Sequence, residues 1–91
     1  MSSPLRIFES AHTMSVLLFV HEHPGCLKTD VYRGVSHNPS LPSKFDALEA
    51  AGLLIQDRYP GSTRLTLTDK GSRVAVLLGS IRDEIGKGDD A

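Results

Sequence analysis

At Gly52 the spacing of apolar residues changes period, and that change limits the folds open to this chain more than any other feature. Before it, Leu41, Phe45 and Leu48 recur at i, i+4 and i+7, the repeat of one helical face, with Ala51 beside them. After it, Leu53 to Tyr59 reads as a strand and Pro60-Gly61-Ser62 as a turn. Arg64-Leu65-Thr66-Leu67-Thr68 then alternates apolar with polar, giving a second strand with one buried and one wet face. Gly52 itself suits the left-handed position that ends a helix. A helix running directly into a β-hairpin makes the chain a mixed α+β fold.

The flanking segments supply more helices. Ser10 offers a cap for a first helix over about residues 10–22, in which Ala11, Met14, Leu17, Leu18 and Val20 recur until Pro24-Gly25 stops it. Ile7 and Phe8 either extend that helix or pack separately. Thr29 offers a cap for a short second helix through Asp30, Val31, Tyr32 and Arg33, with Gly34 near its end. Gly34 to Pro39 is rich in turn formers, among them Ser36, His37 and Asn38. Ser40 is a further cap, with Pro42 tolerated in the first turn, so a third helix is expected at about 40–51. Its outward face carries Ser43, Lys44, Asp46, Ala47 and Ala50. Thr68 or Asp69 opens a last helix with an apolar stripe of Val74, Leu77, Leu78, Ile81 and Ile85. The 91 residues read as a single domain, with an ordered core at about 7–86 and a polar tail at 87–91.

A chain this short has room for one compact core and little for a large catalytic cleft. No nucleophile elbow, phosphate-binding loop, zinc-protease helix or paired-carboxylate pattern is present, and the single cysteine, Cys26, has no His partner in a recognisable catalytic spacing. An enzyme is not expected. With one cysteine no intrachain disulfide forms, so a reducing, cytoplasmic setting is the expectation. The longest apolar run, Val16 to Val20, is far shorter than the ~20 residues a bilayer requires, and Met1 to Leu5 lacks the marks of a signal peptide. No membrane partner, cofactor or small-molecule ligand is implied.

Three segments carry a family resemblance. Leu48-Glu49-Ala50-Ala51-Gly52-Leu53-Leu54, the hairpin to Arg64-Leu65, and Leu67-Thr68-Asp69-Lys70-Gly71 resemble the winged helix-turn-helix regulators of bacteria and archaea, including the MarR, ArsR and PadR-like groups. The resemblance spans about residues 10–85. It implies a three-helix core with a two- or three-stranded β-wing and a C-terminal helix, and, by analogy of fold alone, a transcription regulator that binds double-stranded DNA. On that reading the helix at 40–51 enters the major groove and the wing at 59–64 lies on the backbone. Ser43 and Lys44 become base or phosphate contacts, with Ala47 allowing close approach to a thymine methyl. Arg64 and Arg58 become wing contacts, and Arg33, Lys28 and Ser40 further candidates.

Charge fits this reading least well. Ten basic against eleven acidic residues leave a formal net charge of −1. From Lys28 to Arg64, five basic residues (Lys28, Arg33, Lys44, Arg58, Arg64) face four acidic ones (Asp30, Asp46, Glu49, Asp57), a net of +1. A DNA reader therefore needs Lys44, Arg58 and Arg64 to converge on one surface. The rival reading, a winged-helix module that binds protein within a larger complex, predicts an apolar or mixed-charge patch there instead. His12, His21, His23 and Cys26 invite a metal reading, but His21 and His23 at i, i+2 on a helix point apart, and no metal site is expected. Val16, Phe19 and Val20 on the first helix, with Val76, Ile81 and Ile85 on the last, suggest a symmetric homodimer through those two helices.

Overall fold

The computed structural model describes residues 4–35 and 39–87. The expected turn residues Ser36, His37 and Asn38, and tail residues 88–91, lie outside that range. A 3-10 helix at Pro4–Glu9 is followed by α1 (Thr13–Glu22), β1 (Cys26–Leu27), α2 (Lys28–Gly34) and α3 (Leu41–Ala50). Next come β2 (Leu54–Tyr59), β3 (Ser62–Leu67) and α4 (Asp69–Gly86). The described residues form a mainly helical α+β domain with one antiparallel sheet in the order β1-β3-β2. The short strand β1 pairs Cys26 with Leu65 and Leu27 with Arg64, tying the hairpin to the start of α2.

The core is the meeting of the helical faces with one face of this sheet. Val16, Leu17 and Val20 of α1, Val31 of α2, Leu41, Phe45 and Leu48 of α3, and Leu54 and Leu65 of the hairpin are all essentially inaccessible. Burying a Val, Leu, Ile or Phe side chain stabilises by about 1.5–3 kcal/mol, which makes this cluster the main source of cohesion. The expected face of α3, Leu41, Phe45 and Leu48, is the face found buried.

The joint after α3 explains why helix and hairpin meet at a set angle. Gly52 sits at φ +78°, its N–H donates to the Glu49 carbonyl at 2.9 Å, and the Leu53 N–H donates to Leu48 at 3.0 Å. This 5→2 and 6→1 pair closes the carbonyl end of the helix in a Schellman motif. Thr68 then caps α4, its hydroxyl accepting from the Gly71 N–H at 2.9 Å and donating to the Gly52 carbonyl at 2.6 Å. One threonine thereby locks the start of the last helix onto the end of the third.

Several sequence expectations need correction. Helix α1 begins at Thr13, preceded by His12 at φ +72°, so Ser10 is not its cap. Instead the Thr13 hydroxyl donates to the Ile7 carbonyl at 2.8 Å and the Ser10 carbonyl at 3.0 Å. This folds the N-terminal 3-10 helix back, so Ile7 and Phe8 pack separately against the core. Thr29 does not cap α2 either, since the Asp30 carboxylate accepts from the Leu27 N–H at 2.9 Å and closes the first turn. Ser40 precedes α3 without a side-chain capping bond.

Candidate nucleic-acid interface

Helix α3 has two unlike sides. Opposite its buried stripe, Ser43, Ala47 and Ala50 form an exposed stripe at i, i+4 and i+7, all of them small. The Ser43 hydroxyl turns back to the Ser40 carbonyl at 2.6 Å, which keeps it close to the helix surface. Asp46 and Glu49 occupy one flank. Lys44, half-buried, lies about 140° from Glu49 at 100° per residue, so it belongs to the other flank.

The alternation of the hairpin decides where its arginines go. In β2 the face carrying Leu54 and Gln56 continues to Arg58, while Ile55, Asp57 and Tyr59 occupy the opposite face. Arg58 is paired with Thr63 in register, and Asp57 with Arg64. Arg58 therefore turns toward α3, where its guanidinium stands 4.0 Å from Asp46 and 3.9 Å from Glu49. Gln56 beneath it donates from Nε2 to Asp46 at 3.0 Å and to Glu49 at 3.1 Å, and its backbone N–H donates to Glu49 at 3.3 Å. The two carboxylates staple the hairpin to the helix. Arg64 is on the far side, donating from Nη1 to the Gly25 carbonyl at 3.1 Å.

Lys44, Arg58 and Arg64 consequently do not converge. What the fold brings together is a different pair. Lys28, at the start of α2, places its ammonium 5.1 Å from the centroid of the Phe45 ring. Phe45 and Glu49 are i, i+4 neighbours, so Lys28 and Arg58 border the same flank of α3. They line an open groove of about 510 Å³ with Thr29, Ser62 and Thr63 between α2 and the hairpin tip. The sequence named Lys28 only as a further candidate and missed Thr29 and Thr63. The hairpin register would have found Thr63, because Thr63 shares the face of Arg58.

The remaining candidates are apart from this groove. Arg33 lines a separate cleft of about 400 Å³ with Phe19, His23, Cys26, Asp30 and Gly34. There the His23 ring lies against Phe19 at 4.5 Å. Burial, helped by the Asp30 carboxylate, raises the Cys26 thiol above its ordinary pKa, which keeps it protonated and a poor nucleophile. Among the described residues no three His, Cys, Asp or Glu side chains are placed to hold a metal ion, and no helix is long and apolar enough to cross a membrane. Compared with models of protein families and with curated proteins, the chain matches none.

Proposed function

We propose that the chain is a winged helix-turn-helix domain that binds double-stranded DNA and regulates transcription, with Lys28 and Arg58 supplying the shared cationic surface that Lys44, Arg58 and Arg64 do not form. The observation that carries this reading is the exposed small-residue stripe Ser43, Ala47 and Ala50 on α3, flanked by a groove holding Lys28 and Arg58. A helix with small outward side chains enters a major groove closely, and two cations with nearby hydroxyls suit the adjoining phosphates. The order helix, short strand, two helices and hairpin, with sheet order β1-β3-β2, supports the winged-helix assignment. In this reading Ser43 and Ala47 face base edges, Lys28, Arg58, Thr29 and Thr63 face the backbone, and Arg64 holds the wing in place.

One observation favours a second reading. Asp46 and Glu49 neutralise Arg58 and leave a mixed-charge flank, which suits a protein partner in a larger assembly. Titrating labelled genomic fragments, including the chain's own promoter, across a salt series separates the two. DNA binding predicts affinity that falls steeply with salt yet persists for some sequences. Absence of binding at low salt, from protein shown to be folded, rejects it in favour of the protein-binding reading.

A further inference from the structure

The two carboxylates on the flank of α3 are not equivalent. Glu49 is committed to the hairpin with both oxygens. Its Oε1 accepts from Gln56 Nε2 at 3.1 Å and stands 3.9 Å from Arg58, while its Oε2 accepts from the Gln56 backbone N–H at 3.3 Å. Asp46 uses one oxygen only. Its Oδ1 accepts from Gln56 Nε2 at 3.0 Å and lies 4.0 Å from Arg58, whereas Oδ2 has no hydrogen bond or ion pair among the described residues. Exposure follows the same division, with the Asp46 side chain 68% exposed and that of Glu49 39%.

Helical geometry sets the two carboxylates at different distances from the stripe of Ser43, Ala47 and Ala50. At 100° per residue Asp46 falls about 40° from Ala50 and about 60° from Ser43, so it borders the stripe, while Glu49 falls about 100° or more from both. Small residues let α3 approach a surface closely, which brings a side chain as short as aspartate within reach of what the stripe faces. Gln56, buried on the hairpin, holds the other oxygen of the carboxylate, so the free one is fixed in direction before any contact is made.

We infer that Asp46 is a specificity-determining residue of the DNA reading proposed above, on which this inference rests: its Oδ2 accepts a hydrogen bond from the N4 amino group of a cytosine in the major groove. The donor inventory of the bases selects cytosine. A carboxylate is repelled by phosphate and offers only acceptor lone pairs. Guanine presents two acceptors there and thymine an acceptor beside a methyl group, so neither can bond to it. The adenine amino group lies between two acceptors, its own N7 and the thymine O4, whereas the cytosine amino group has an acceptor on one side only, the guanine O6. Arg58 beside the carboxylate offsets its charge and eases its approach to the duplex. Lys28 and Arg58 thus set the register on the backbone, and Asp46 reads within it.

Selection of bound duplexes from a randomised pool by the full chain, followed by affinity measurements on the selected site, tests this. The parent selects a site with a fixed cytosine. Replacing that cytosine by 2-pyrimidinone, which lacks only the amino group, weakens binding by the parent about tenfold, and Asp46→Ala binds the two duplexes alike. Asp46→Asn keeps an acceptor for Gln56 and moves the preferred base from cytosine to adenine, because an amide matches adenine N6 and N7. Loss of a structural contact alone would weaken all sequences equally and move no preference. Ratios between duplexes are compared, since release of Arg58 changes affinity for both. Failure of the folded parent to bind any DNA would overturn the DNA reading and this inference together. A selected site with no fixed cytosine, a parent indifferent to the amino group, or variants that keep the parent's base preference would overturn this inference alone.

Discussion

Thr68 and Gly71 show how much a single position can decide. The threonine hydroxyl serves both the first turn of α4 and the carbonyl of Gly52, and a cap of this kind is worth about 1 kcal/mol. Thr68→Ala is expected to lower stability by about 1–2 kcal/mol in urea unfolding. Gly71 is the more demanding site, because a β-carbon there would collide with the backbone carbonyl of Leu53. Gly71→Ala should therefore destabilise more than Thr68→Ala, despite the better helix propensity of alanine. A smaller loss for Gly71→Ala would mean that the α3–α4 joint gives way freely. Both residues belong to the segment Leu67-Thr68-Asp69-Lys70-Gly71 singled out from sequence. The cap was legible there, because a threonine before a helical repeat has few other uses. The need for glycine was not, since the clash comes from a carbonyl 18 residues earlier.

At the scale of elements, the hairpin and α3 form one unit through Gln56, Arg58, Asp46 and Glu49. The strands and their turn were legible from the two-residue period and from Pro60-Gly61. The destination of each arginine was not, because a strand's alternation reveals opposite faces only when the core side is known. Once Leu54 and Leu65 are seen to be buried, Arg58 must lie on the α3 side and Arg64 on the other. The carboxylates compete with phosphate for Arg58, which leads to a specific expectation under the DNA reading. Asp46→Asn combined with Glu49→Gln retains acceptors for Gln56 while releasing the guanidinium. Affinity for DNA should then rise, and the salt slope should steepen by about one phosphate contact. An unchanged slope would place Arg58 away from the backbone.

For the whole molecule, the homodimer expected from sequence turns on the exposed apolar face of α4. If two copies associate through it, mass action makes the melting temperature rise with protein concentration. The parent chain should show this dependence and Ile85→Asp should lose it, a comparison that needs only melting curves. A concentration-independent Tm for the parent would argue against a dimer that forms with folding.

Sequence alone determined the succession of the four α-helices and the hairpin, through local signals such as the helical repeat of Leu41, Phe45 and Leu48, the left-handed Gly52, the alternating strands and the Thr68 cap, but not the short strand β1 or the 3-10 helix. It also indicated the buried face of α3, where the period is clean. Only the tertiary structure decided which other apolar residues are core and which charges share a surface. Val16 and Val20 are buried while Ile81 and Ile85 are exposed, although all four are apolar residues at helical spacing. The physical reason is that periodicity reports a direction around one element. Burial and electrostatic pairing depend on what stands opposite, and that is supplied by residues tens of positions away.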